Sequence, residues 1–244
     1  MKTYMNMKFD TLNTHAINDN ININTSKIVI TKTADYYSVK AVRNIKKSET
    51  ILIEYPKCVL YGEYDIDRGL QVVKKYMEQM DTDYIKELYP RDFDRFNPNT
   101  LIKNIHKIIN YLDTDKKHNS HNSQISSIID FFKQYSKRVI EFYYAKHIYN
   151  AFEGFQYGPL TLPILAKFNH SCKKNNIEFK FDTCKGCMIV STTCNVKKDD
   201  ELFNSYLYNK NIENHKAYIL EHYNFDCGCK ISCAKPYVFT HLKI

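Results

Sequence analysis

Residues 167–175 read KFNHSCKKN. Asn169, His170, Ser171 and Cys172 put an amide, an imidazole, a hydroxyl and a thiol side by side. Three readings are open for such a stretch: a glycosylation acceptor, a set of metal ligands, or the floor of a catalytic site. The choice depends on what the other cysteines and the tyrosines do.

The chain has 244 residues, enough for one good-sized core or one core with a small appended module. Charged residues make up 25% and hydrophobic residues 43%, an ordinary balance for a globular protein. The net charge is +8, but the lysines do not gather into one block, so charge alone assigns no nucleic-acid partner. No apolar run approaches the roughly 20 residues of a membrane span. The start, MKTYMNMKFD, has no apolar region of the kind a signal peptide carries. An intracellular setting, nuclear or cytoplasmic, is therefore expected, with the eight cysteines reduced. In that setting the N-x-S match at Asn169 is accidental, and clustered cysteines are read as metal ligands before disulfides.

Along the chain, residues 1–26 are rich in Asn and Thr and read as a flexible tail. Strand character follows at Ile28–Ile30, Tyr36–Val42 and Ile51–Tyr55, where β-branched and aromatic residues are separated by polar turns. After Gly62 the period changes. Val73, Tyr76, Met77 and Met80 have helical spacing, as do Leu101, Ile105, Ile108, Ile109 and Leu112. The run Ile125, Ile128, Ile129, Phe132, Tyr135, Val139, Phe142 and Tyr143 is the longest. Strand alternation returns at Ile177, Phe179 and Phe181, turns over Cys184–Cys187 with Gly186 at the tip, and comes back through Met188–Val190. Glu201–Tyr208 reads as a further strand, and Ile212, Ile219, Leu220 and Tyr223 as a last helix. No internal repeat is visible. The order of β, then α, then β, then a Cys-rich end predicts an α+β fold interrupted by a helical insert.

Cys227, Cys229 and Cys233 lie within seven residues. Three thiolates so close can wrap one tetrahedral zinc if a fourth ligand joins them. Cys172 leads the candidates, with Cys184, Cys187 and His222 as rivals. The Cys184/Cys187 pair also sits where a hairpin must turn, and Cys172 has a second reading as a small buried hydrophobe.

Taken together, several stretches resemble the SET-domain protein lysine methyltransferases, and within them the SET and post-SET portions of the SMYD group. YSVKAVRNIKKSETILIEYP is similar to the N-terminal half of that family, and YNAFEGF (149–155) to its NxF stretch. LPILAKFNHSCKKN is similar to its NHSCxPN segment, CNVKKDDELFNSY to its kkGEE strand, and HYNFDCGC to its Cys-rich tail. The resemblance covers residues 36–56 and about 149–233. It implies a SET N-terminal half at 27–61, a helical insert at 62–145, a C-terminal half at 146–210, and a helix with a post-SET tail at 211–244. The insert holds no cysteine, so the zinc-binding MYND module of that group is expected to be absent.

For function, the resemblance implies S-adenosyl-L-methionine as cofactor, zinc in the tail, and a protein substrate bearing a lysine, histone or other. Carried over by position, Tyr206 would sit at the methyl-transfer point and Tyr223 would line the lysine channel. Asn150, Asn169, His170 and Phe225 would contact the cofactor, and Cys172, Cys227, Cys229 and Cys233 would hold zinc. The sequence departs from the family in several places, among them Lys174 where a proline is usual and Glu178 where an apolar channel residue is. Tyr36-Tyr37-Ser38 stands where Gly-x-Gly is usual, and glycine permits a close backbone approach that tyrosine narrows. Ser48 and Asp200 stand where a glycine precedes glutamate. The tail spacing is one residue longer than usual. A SET-like binding module that has lost its cofactor is therefore the second reading, and a zinc-containing nucleic-acid binder the third.

Overall fold

The computed structural model describes residues 22–23, 26–32, 36–59, 66–116, 123–153, 159–207, 215–223 and 225–227. Most of the lead-in at 1–26 lies outside these, as do Cys229 and Cys233. Asn22–Ile23, assigned to the lead-in by sequence, forms a short strand, β1.

The three expected early strands form as β2 (Ile28–Lys32), β3 (Tyr37–Ala41) and β4 (Thr50–Glu54). β5 (Cys58–Val59) follows. Six helices come next: α1 (Ile66–Glu78), α2 (Asp83–Glu87), α3 (Thr100–Lys103), α4 (Ile105–Lys116), α5 (Ser123–Phe132) and α6 (Lys137–Asn150). The strands β6 (Ala151–Glu153), β7 (Pro159–Thr161), β8 (Asn169–His170), β9 (Ile177–Asp182), β10 (Cys187–Thr192) and β11 (Phe203–Asn204) return the chain to sheet, and α7 (His215–Tyr223) is the last described helix. The strands make a four-stranded sheet in the order β1-β4-β10-β9, a three-stranded sheet β5-β7-β6, the β2–β3 pair and the β8–β11 pair. All pairings are antiparallel except β8 with β11, which is parallel.

Two expectations are corrected. The long apolar run at 125–143 is one helix by period but two in space. The chain turns over Lys133–Tyr135, and Ser136 restarts it by capping Val139 N–H. The strand expected over Glu201–Tyr208 shrinks to Phe203–Asn204, and Tyr206 and Leu207 lie in a turn. Asn176 fixes that short strand. Its side chain accepts from Phe203 N–H at 2.8 Å and donates to the Glu201 carbonyl at 3.0 Å.

A third correction concerns repeats. NIKKSE (44–49) and NVKKDD (195–200) are copies of one turn, and they pair with each other. Ile45 N–H donates to Val196 O at 2.8 Å and Val196 N–H to Ile45 O at 2.9 Å. Lys47 N–H donates to Asn195 Oδ1, and Lys198 N–H to Asn44 Oδ1, each at 2.9 Å. The local two-fold is visible in sequence only when two six-residue pieces some 150 positions apart are laid side by side.

Two main cores result. One joins Ile51, Leu52, Met188 and Val190 of the sheet to Leu162, Leu165 and Phe168. The other lies among the helices, around Val73, Met77, Ile105, Ile129 and Phe132. Tyr76 on α1 bridges from the helices to the sheet, its hydroxyl 2.5 Å from Thr161 Oγ1 of β7 with both residues buried. The CKGC stretch is a turn, as expected. Asp182 Oδ1 accepts from the N–H groups of Cys184 and Lys185, and Gly186 takes φ +65°.

Candidate active site

The segment after β7 begins at a buried carboxylate. Glu54 of β4 accepts from Ile164 N–H at 2.7 Å and Leu165 N–H at 2.8 Å. Burial pushes its carboxyl up to about 7, against the pull of those two N–H donors. A 3₁₀ turn at Leu165–Lys167 follows, then Phe168, then β8. This is how Lys167, Asn169 and His170 of KFNHSC reach the wall of a cavity.

The cavity has a volume of about 420 Å³. Asn150, Asn169, His170, Tyr206, Tyr223 and Phe225 all line it. These residues come from α6, β8, the turn after β11, the far end of α7 and, for Phe225, the segment beyond it. Their rings touch in sequence around the wall: Tyr149 lies 6.3 Å from Tyr223, Tyr223 4.7 Å from Tyr206, and Tyr206 5.1 Å from His170. Phe225 closes the row at 6.1 Å from His170. The Tyr206 hydroxyl donates to the Phe168 carbonyl at 3.0 Å, and burial keeps its proton on.

Several polar side chains expected to meet a ligand are already engaged with the protein. Asn169 Nδ2 donates to Tyr37 O and to Glu201 Oε1, both at 2.7 Å. Asn150 Nδ2 donates to Tyr89 O at 2.6 Å and Lys146 O at 2.7 Å. His170 Nδ1 accepts from Tyr206 N–H at 3.0 Å, and its Nε2 lies 2.8 Å from Cys172 Sγ. Burial pushes the imidazole down to about 4.

The wall also holds residues that sequence reasoning did not select: Glu87, Tyr89, Arg91, Tyr149 and Lys167. Lys167 is the first letter of the opening stretch and Tyr149 the first of YNAFEGF, so both stood next to the signal. Glu87, Tyr89 and Arg91 come from the stretch around α2, where no motif marks them. Lys167 Nζ and the Arg91 guanidinium both sit over the Tyr37 ring, at 4.5 and 4.6 Å. Tyr36, at the first of the family's two glycine places, and Tyr37, between them, both line the cavity, and among the described residues the buried Tyr37 hydroxyl has no hydrogen-bond partner.

Behind the row, Cys172 Sγ and Cys227 Sγ are 4.0 Å apart. Two thiolates on one tetrahedral zinc, each at about 2.3 Å, stand about 3.8 Å apart. Among the described residues, His170, Cys172 and Cys227 form the group whose ligand atoms lie within 4.8 Å of one another. The rivals Cys184, Cys187 and His222 are not in that group; His222 Nδ1 lies 3.0 Å from Tyr218 O. No helix among the described residues is long and apolar enough to cross a membrane.

The family model for the SET domain matches residues 59–207. No curated protein matches the chain. Among solved structures, it is similar to the SET domain of LSMT bound to lysine and AdoHcy, at 11% identity and a TM-score of 0.53, covering 84% of this chain and 54% of that one. The same domain bound to methyl-lysine and AdoHcy gives 12% identity and 0.53, covering 83% and 53%. Rubisco LSMT bound to sinefungin and monomethyllysine gives 10% and 0.51, covering 83% and 52%. The chain thus spans about half the length of these structures, and identities this low show a shared fold.

Proposed function

The chain belongs to the SET-domain family, and from that premise we propose that it is an S-adenosylmethionine-dependent methyltransferase acting on a lysine side chain of a protein. The observation that carries the reading is the meeting of Tyr206, Tyr223, Asn169, His170 and Phe225 around one cavity of about 420 Å³. Small-molecule sites are commonly about 300–1,000 Å³ and lined by aromatic side chains with a few polar groups, so the cavity fits a ligand of this size. The similar structures with bound AdoHcy, methyl-lysine or sinefungin lend support through their shared fold.

S-adenosylmethionine, when bound, supplies a methyl carbon on a positive sulfonium, which only a neutral amine can take. The residues of this chain supply the rest. A cavity walled by Tyr149, Tyr206 and Tyr223 disfavours a charged ammonium and so favours the neutral lysine, whose proton leaves to water. The Tyr206 hydroxyl and the Phe168 carbonyl are adjacent oxygens that align polarised groups. Phe225 offers an apolar face for a purine. Asn169, Asn150 and His170 would act mainly through backbone and position, since their side-chain hydrogen bonds run to the protein. Cys172 and Cys227, with Cys229 and Cys233 beyond the described residues, would hold a zinc that ties the post-SET tail to the cavity, and the 4.0 Å thiol separation supports this. The kinship with the SMYD group, the missing MYND module and an intracellular location belong to the same proposal.

A second reading, a SET fold that binds protein without methyl transfer, is favoured by one feature. Tyr36 lines the cavity where a small glycine is usual, with Tyr37 beside it. Calorimetry of the full chain with zinc retained separates the two. Micromolar binding of S-adenosylmethionine supports the enzyme. Tyr206→Phe should then keep that binding within a few-fold while transfer to a protein lysine falls about 100-fold. Binding absent in the natural chain but gained by Tyr36→Gly with Ser38→Gly supports the second reading. Binding by neither, with both folded, removes the assignment of Asn169 and His170.

A further inference from the structure

His170 touches both halves of the site through its two ring nitrogens. Nδ1 accepts from the backbone N–H of Tyr206 at 3.0 Å. A neutral imidazole carries one N–H, so an accepting Nδ1 puts the proton on Nε2. Nε2 lies 2.8 Å from Cys172 Sγ, and its N–H therefore donates to that sulfur. Two aromatic rings, both tilted against it, flank the imidazole as well. Tyr206 packs at 5.1 Å and Phe225, two residues before Cys227, at 6.1 Å. The backbone reinforces the same link, because β8 pairs in parallel with β11 and sets His170 opposite Asn204, two residues before Tyr206.

We propose that His170 is a positioning residue that couples metal occupancy at Cys172 and Cys227 to the placement of Tyr206. The inference rests on the zinc reading given above. A metal-bound cysteine is a thiolate, and an N–H donated to an anionic sulfur is stronger than one donated to a thiol. Partners that donate to metal-bound atoms fix those ligands and tune affinity. Here the donor's other end is the hydrogen-bond acceptor for the peptide N–H of the tyrosine at the cavity wall. With metal present, the imidazole is anchored at Nε2 and holds Tyr206 from Nδ1. With metal absent, the Nε2 anchor weakens and the Tyr206 N–H loses a fixed acceptor. His170 is thus a strut between the metal and the cavity. It is not itself a ligand, although its nitrogen lies among the possible ligand atoms. The Asn204 carbonyl also lies within reach of the ring. If it took a proton from Nδ1, Nε2 would be free to bind the metal, but the Tyr206 N–H directed at Nδ1 opposes that arrangement.

The test uses the full chain, isotope-labelled at its tyrosine amides, with zinc itself as the probe. The Tyr206 amide signal is identified by its loss in Tyr206→Phe. Removing zinc from the natural chain with a chelator should move that signal. In His170→Phe, zinc affinity should fall about 10–100-fold, the Tyr206 signal should no longer respond to zinc, and the visible spectrum of the cobalt-substituted protein should keep its form. Three results overturn the proposal: a Tyr206 signal unmoved by zinc removal, a response that persists without the imidazole, or a chain that takes up no zinc. A changed cobalt spectrum in His170→Phe, reporting the loss of a nitrogen ligand, overturns it too by assigning His170 to the metal. If His170→Phe does not fold, the natural chain decides alone. None of these readouts measures methyl transfer, so an inactive protein leaves this inference standing, and an active one does not rescue it.

Discussion

Ser48 and Asp199 take φ of 63° and 68°. Side chains other than glycine pay for this left-handed conformation with a clash at Cβ. The two residues occupy the same place in the paired NIKKSE and NVKKDD turns, so both turns demand it. Sequence reasoning located the first of these positions, Ser48, and placed the second at Asp200, one residue late. The backbone corrects this to Asp199, because Asp200 instead returns its carboxylate to Lys197 N–H at 3.1 Å. Ser48→Gly and Asp199→Gly are each expected to raise stability by about 1 kcal/mol, read as higher denaturant midpoints with unchanged slopes. A loss of stability at either would mean that the side chain carries a contact worth more than the strain. Residue types at the site were likewise legible, but partners were not. Nothing in the letters says that Asn150 and Asn169 turn their amides to backbone carbonyls.

At the scale of elements, α6 shows how a helix builds one wall of the cavity. Lys146 Nζ donates to Leu88 O and to Pro90 O, each at 2.7 Å, and Asn150, one turn on, donates to Tyr89 O between them. One helix face therefore satisfies three successive carbonyls of a segment without regular structure. The Lys146 ammonium is buried, and burial pushes it down to about 7. Lys146→Met removes the donor to two carbonyls and is expected to cost about 2–4 kcal/mol. It should also weaken ligand binding in the cavity, because Leu88 and Tyr89 line it. A denaturation midpoint shifted by less than about 1 kcal/mol would show that water replaces the ammonium readily. The helical period predicted α6 but gave no reason to expect Lys146 inside. A lysine in an amphipathic pattern reads as solvent-facing until a neighbouring segment supplies carbonyls.

At the scale of the molecule, Glu54 ties the sheet to the segment that becomes the cavity floor. Its carboxyl is raised from 4.5 to about 7 by burial. A raised carboxyl holds its proton more tightly when folded than unfolded. The stability it contributes is complete below pH 4.5 and is lost as pH rises toward 7. Glu54→Gln does not titrate, so the natural chain's stability relative to that variant should fall across this window, by up to about 3 kcal/mol. Paired denaturant titrations across the window read this directly. A difference that does not change with pH would mean that the two N–H donors, Ile164 and Leu165, hold the carboxylate ionised throughout.

The sequence by itself marked the strands around 28–54 and 177–192 to within two residues, and the helical character of the block between them, but not the short strands β1, β5, β6, β7 and β8 or the helix α2. It also marked the residues that would share a site. Local propensity, side-chain period and turn chemistry are short-range, and they are written in neighbouring letters. It did not determine where the run at 125–143 breaks, that among the described residues of 201–207 only Phe203–Asn204 form a strand, or that two six-residue pieces face each other across a local two-fold. Those features come from long-range pairing: a cap at Ser136, the clamp of Asn176 on β11, and the hydrogen bonds between Ile45 and Val196. The cavity belongs to the same class. Tyr206 and Tyr223 are 17 positions apart, and Cys172 and Cys227 are 55 apart. Only burial of the intervening chain in a common core brings each pair together, so their chemistry is a property of the fold.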